Sequence, residues 1–143
     1  MPYEYLEELA TADVAFEATG KSLEELFIAA AEATANTMVD RLDTLIRRSR
    51  RCIQLGNSEL DLLLFNYLQE LIYYKDAEGL LLVPQSVEIR KGTGGYTLYS
   101  VVEGEEIDAS RHEQRADVKA VTLHRFELIK TRKGWKALVI LDV

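Results

Sequence analysis

Apolar residues recur at helical spacing in two stretches of the chain and cluster or alternate in short runs elsewhere. The first helical stretch opens at Ser22 with Glu25 three residues on, a pairing in which each side chain can take up the other's exposed backbone N–H. Leu23, Leu26, Phe27, Ala30, Thr34 and Met38 follow at intervals that predict one apolar face. The second opens at Ser58 with Asp61 three on. It carries Leu60, Leu63, Leu64, Tyr67, Leu68, Leu71 and Ile72 as a broad stripe and stops at Ala77-Glu78-Gly79. Strand character fills residues 13–18, which lead into Gly20-Lys21-Ser22, and residues 45–55 despite their arginines. Residues 81–90 and 96–102 flank Gly92-Thr93-Gly94-Gly95, and residues 118–130 and 134–142 flank Thr131-Arg132-Lys133, two hairpin signals. Residues 103–117 are polar and without a period. The order strand, helix, strand, helix and four strands predicts an α+β fold, with two helices packed on mostly antiparallel sheet in one domain over 1–143. Each helix is followed by strand material, so the order also admits a duplicated strand–helix–strand–strand unit.

Composition narrows the classes. In 143 residues there are 17 basic and 24 acidic side chains, a formal net charge of −7. That speaks against gripping DNA, RNA or an anionic membrane directly, because phosphate binding is driven by Lys and Arg. A single cysteine, Cys52, excludes a disulfide framework and a Cys-rich zinc site, and it reads as a small strand residue in a reducing compartment. No apolar stretch approaches the roughly 20 residues of a membrane span, and no basic-then-apolar leader opens the chain. The expectation is a soluble, cytoplasmic protein.

Familiar catalytic sets are missing. His112 and His124 are the only histidines, no nucleophile elbow is present, and the Gly92–Gly95 run lacks the helix a phosphate loop needs. Arg47, Arg48, Arg50 and Arg51 form the one basic cluster. They read either as an anion-binding patch or, preferably, as the charge that protects an edge strand. Asp13 opens one apolar strand and Asp142 closes another beside Val143. If those strands are neighbours, these groups and the terminal carboxylate converge and call for a hard cation such as calcium, magnesium or manganese. If not, they are separate solvated strand ends, the reading composition alone favours. Glu105 and Asp108 read equally as solvated loop residues or as parts of a site. His112 and His124 read as hydrogen-bonded structural residues, and Trp135 as packing.

Taken together, several segments resemble the archease family, small cytosolic proteins that act as cofactors of RtcB-type RNA-splicing ligases. They are Thr11-Ala12-Asp13, the block from Ser22 to Phe27, the block from Leu62 to Ile72, Gly104-Glu105 with Asp108 and His112, Val118-Lys119-Ala120-Val121-Thr122 with His124, and the Asp142-Val143 end. The family usually carries His before the Thr-Ala-Asp triplet, where this chain has Ala10. It also usually has an aromatic residue before the second histidine, where this chain has Leu123. The resemblance implies a duplicated strand–helix–strand–strand architecture and a divalent metal site at Asp13, Asp142 and Val143, calcium in vitro with manganese or magnesium as alternatives. It further implies that the partner ligase depends on Lys119 together with the aspartates. The implied activity is promotion of ligase guanylylation and multiple turnover in tRNA splicing and RNA repair. The chain would then not itself be an enzyme, and RNA would be reached only through the ligase. Two other readings stand beside this one: a chaperone-like modulator of a tRNA methyltransferase, and a freestanding metal-dependent hydrolase, against which the missing histidine constellation speaks.

Overall fold

In the computed structural model, which describes residues 2–6 and 13–143, helix α1 (Leu23–Met38) starts where its capping residues place it. Ser22 Oγ accepts the Glu25 N–H at 3.2 Å. Glu25 accepts from the Lys21 N–H at 2.7 Å rather than from Ser22, so the pair ties down the turn one residue earlier than expected. Helix α2 (Leu60–Glu78) corrects the expected Ser58 cap: Glu59 stands at the N-cap position without a side-chain bond, and Asn57 Oδ1 takes the Glu59 N–H at 2.9 Å. An asparagine folds readily onto the backbone two residues ahead, and here it takes the turn from Ser58. The other end is as expected, with Gly79 left-handed at φ 66° and its N–H returning to the Lys75 and Tyr74 carbonyls.

Seven strands are found among the described residues: β1 (Tyr3–Tyr5), β2 (Val14–Gly20), β3 (Ser49–Asn57), β4 (Leu80–Gly92), β5 (Gly95–Glu106), β6 (Ala120–Thr131) and β7 (Gly134–Asp142). β1 is an addition to the expected order, and three residues are too few to show a period. β3 begins four residues later than expected, because the chain turns at 46–48, where the Arg48 N–H donates to the Ile46 carbonyl at 2.9 Å and the Ile46 N–H to the Glu105 side chain. β6 begins at Ala120 rather than 118 and bulges between Thr122 and Glu127, with Arg125 at φ 57°. Every strand pair is antiparallel, and the strands form two sheets, ordered β1-β2-β7-β6 and β3-β5-β4.

These orders contain one unit twice. β3-α2-β4-β5 pairs its first strand with the second strand of its own hairpin, and β2-α1-β6-β7 does the same. The duplication is therefore nested: the second unit is inserted between α1 and β6 of the first. The equivalence extends to atoms. Gly134 and Gly95 open the last strands of the two hairpins at φ 148° and φ 128°. A Cβ on Gly134 would lie 2.2 Å from the Gly20 carbonyl oxygen, and one on Gly95 would lie 2.6 Å from that of Asn57. Gly20 pairs with Trp135 and Asn57 with Tyr96, and in each hairpin a lysine ammonium lies over that ring, Lys130 at 5.7 Å and Lys91 at 5.9 Å. Gly134→Ala combines a positive φ with a backbone clash. It is expected to cost about 2 kcal/mol or more, read as a lowered melting temperature.

Both units share one apolar cluster, in which Phe16, Phe27, Leu68, Leu81 and Leu141 are fully or almost fully buried. α1 packs on β2 and β7 of its own sheet and on β4 of the other. Being covered from two sides, it is buried nearly all round rather than along the single face expected, and its alanines allow the close approach. Thr34 and Thr37 survive there because their hydroxyls donate to the Ala30 and Ala33 carbonyls at 2.9 and 2.8 Å.

Candidate functional site

β2 and β7 are neighbours, the condition on which convergence of Asp13 and Asp142 depended. Their register runs from Gly20–Trp135 to Val14–Leu141, and continued by one residue it sets Asp13 opposite Asp142. Opposed residues of an antiparallel pair share a face, with Cβ atoms about 5 Å apart. Both aspartates are exposed, and Val143 beside them is half-buried. On the other flank of β7, the Lys119 N–H donates to the Asp142 carbonyl at 2.8 Å, so Lys119 borders the same strand end. The chain around Lys119 is held by α2. Lys75 Nζ donates to the Val118 carbonyl and to Asp117, both at 2.6 Å, and Gln69 Oε1 accepts the Val121 N–H at 2.8 Å. Burial opposes the Lys75 charge, yet the Asp117 and Asp76 carboxylates outweigh it and raise the ammonium above its usual range. In the sequence the mark of these two supports is no more than a Gln and a Lys beside the apolar stripe of α2.

The inserted unit supplies an internal control. Counting from Gly134 and Gly95 along the hairpins, and from Gly20 and Asn57 along the first strands, Asp142 corresponds to Glu103 and Asp13 to Arg50. Arg50 and Glu103 are cross-strand partners joined at 2.9 Å, with Arg47 adding a second contact at 3.4 Å. Arg50, aided by Arg47, holds the Glu103 carboxyl below the usual carboxylate range despite some burial. Where the second unit carries a neutral Arg–Glu pair, the first places two carboxylates. Among the described residues no group of three or more His, Cys, Asp or Glu side chains is placed to hold a metal ion. The donors on offer are thus two carboxylates and main-chain oxygen, an all-oxygen set suited to a hard cation.

The 107–117 segment is hooked in place by Glu105. It is not the solvated loop residue that was one of its two readings. Its side chain is buried, with Oε1 on the Arg111 guanidinium and Oε2 accepting from the Ile46 N–H at 2.6 Å and facing His112 Nε2 at 3.3 Å. The Asp108 N–H donates to His112 Nδ1 at 2.9 Å, which places the ring proton on Nε2, directed at Glu105. Arg111, with the Ile46 N–H and His112, holds the Glu105 carboxyl down to about 2 against the opposing effect of burial. Asp108 closes its own turn through Ser110. His112 is therefore a structural residue as expected. His124 is not: it stands exposed in the β6 bulge, outside the β6–β7 register. The arginines match a charged edge, since β3 borders its sheet, Arg50 pairs with Glu103, and Arg51 meets Glu78 at 2.7 Å. Cys52 is exposed on the same strand. Ala10, Thr11 and Ala12 lie outside the described residues.

Over residues 3–143 the chain matches the Archease protein family (MTH1598/TM1083). It is 36% identical to protein archease of Methanosarcina mazei, over 99% of this chain and 95% of that one. With protein archease of Pyrococcus abyssi the identity is 34%, over 93% of this chain and 94% of its relative. Among solved structures, the solution structure of Methanobacterium thermoautotrophicum protein 1598 matches at TM-score 0.85 and 34% identity, covering 99% of both chains. The crystal structure of an archease from Thermotoga maritima, described as a possible chaperone, shares the fold at TM-score 0.65 and 19% identity, over 94% and 93% of the two chains.

Proposed function

The chain belongs to the archease family, and from that premise we propose that it activates an RtcB-type RNA-splicing ligase. On this reading it promotes guanylylation of the ligase and so allows repeated turnover in tRNA splicing and RNA repair. The observation that carries the reading is the end of β2 and β7, where Asp13, Asp142 and Lys119 stand together while the equivalent end of the second unit is closed by its own Arg50–Glu103 pair. Asp13, Asp142 and the main chain of Val143 would hold the divalent ion, with calcium, manganese and magnesium all suited to oxygen donors. When bound, such an ion supplies positive charge to phosphate oxygens during nucleotidyl transfer.

The chain's own residues do the rest. On this reading the Lys119 ammonium, carried on backbone that borders the acidic end, would steady the charge that develops on a phosphate. Lys75, Gln69 and the Asp142 carbonyl fix the backbone that carries it. The chain acts on the ligase and is not the ligase, and a net charge of −7 suits a protein that meets RNA only through its partner. No helix among the described residues is long and apolar enough to cross a membrane. The reading carries a cytoplasmic location with it.

The test is a count of ligations per ligase molecule with GTP, manganese and broken RNA bearing a 2′,3′-cyclic phosphate. The intact protein is expected to give many turnovers, and Lys119→Ala, folded and still bound to the ligase, at least about tenfold fewer. Turnover that this protein leaves unchanged would overturn the reading. A protein that instead solubilises a tRNA methyltransferase without need of the aspartates would replace it by the chaperone reading.

A further inference from the structure

At the far end of β2 and β7, about 20 Å from Asp13 by strand rise, lies a feature that neither the core nor the proposed activity uses. A groove of about 600 Å³ runs between the start of α1 and the β6–β7 hairpin. Ile28, Ala29 and the half-buried Trp135 give it apolar walls, and Lys21, Lys133 and Lys136 line it around the Gly20–Trp135 pair.

The inserted unit shows what the fold itself requires here. Counted from the hairpin glycines, Lys133 and Lys136 correspond to Gly94 and Thr97; counted from the paired strand ends, Lys21 corresponds to Ser58. The same turn and the same pairing are made there with no lysine at these three positions, although Arg90 and Lys91 stand nearby on β4. The Lys130–Trp135 contact, by contrast, has its counterpart in Lys91–Tyr96 and belongs to the hairpin. Three lysines thus gather in a chain of net charge −7 at positions where the duplicated backbone does without them. Among the described residues Lys136 has a single, long ion-pair contact, with Glu17 at 3.9 Å. Lys21 and Lys133 form no ion pair among the described residues.

We propose that this groove binds a nucleoside polyphosphate, with its phosphates on Lys21, Lys133 and Lys136 and its base against Trp135 and Ile28. Three cations around one mouth favour a polyphosphate, while an indole and aliphatic walls favour a flat ring, since every base has a face that can stack. The volume is that of a small-molecule site rather than of a track for a strand. Two carboxylates, Glu25 and Glu32, also line the groove. Glu25 is engaged by the Lys21 N–H at 2.7 Å. Glu32 lies two turns along α1, about 10 Å further on, where it can accept from a base amino group. Burial raises the Glu32 carboxyl above the usual range, though Arg47 works against it.

The chain's only tryptophan sits in the proposed site, so its fluorescence reports occupancy, with calorimetry as a second readout. Titration with ATP, GTP and UTP is expected to give a saturable change that weakens as salt rises. In the triple variant Lys21→Ser, Lys133→Gly, Lys136→Thr, which installs residues the second unit already folds with, affinity is expected to fall at least about tenfold. No saturable binding of any nucleoside triphosphate would overturn the proposal, as would equal binding by the variant. Inorganic tripolyphosphate binding as tightly as the nucleotides would overturn the role of the base. An RNA oligonucleotide binding far more tightly than any nucleotide would make the groove a strand site instead. None of these outcomes depends on ligase activation, so this proposal and the proposed function fail separately.

Discussion

Replacing Glu105 by Ala is expected to lower stability by about 3 kcal/mol, or roughly 10 °C in melting temperature for a chain of this length. The loss comes from what the carboxylate leaves behind. The fully buried His112 Nε2–H loses its acceptor, and an unsatisfied buried donor costs about 1–3 kcal/mol; the part-buried Ile46 N–H loses its acceptor too and adds a smaller share. Arg111 is partly exposed, can turn to water, and adds little. The same residue sets a pH dependence. Its folded carboxyl is held down to about 2, below the ordinary 4.5, so its contribution is complete above 4.5 and is lost as the pH falls from there toward about 2. Calorimetry across that range should show the wild type losing stability more steeply than Glu105→Ala. A variant within 1 kcal/mol of wild type, with the same acid slope, would contradict the role assigned to Glu105.

Much of the fold could be read locally. Both helices and six of the seven strands were legible because periodicity, the Ser22–Glu25 pair and Gly79 act within a few residues of chain. What was not legible depends on distance along the chain. Glu105 meets an N–H that is 59 residues away, so nothing near it in the sequence marks it as buried. The insertion of one unit in the other rests on β2 finding β7, and no local pattern encodes that register. The second helix's cap was misread because two competent side chains, Asn57 and Ser58, stood side by side and only the turn geometry chose between them. At the candidate site the residue types, Asp13, Asp142 and Lys119, were legible, and only their adjacency waited on the fold. At the equivalent strand end of the second unit an arginine, Arg50, faces the carboxylate of Glu103, and the first unit has an aspartate at that arginine's position.

That comparison yields the second large effect. Asp13→Arg with Asp142→Glu would write the second unit's pair into the first. Because the fold already accommodates this pair once, the variant is expected to fold. If the proposed function holds, it is also expected not to respond to divalent ions and not to stimulate the ligase. For the wild type, an ion at about a hundredfold its dissociation constant should add about 2.7 kcal/mol of stability, or roughly 8 °C. The swapped protein should gain close to nothing, since its guanidinium replaces the ion.

The most direct measurement is the melting temperature of both proteins in chelator and then in calcium or manganese. A rise of several degrees in the wild type that is absent from the Asp13→Arg, Asp142→Glu form is the result this account predicts. Equal rises in the two proteins, or no rise in the wild type with any of these ions, would contradict a cation site at the end of β2 and β7.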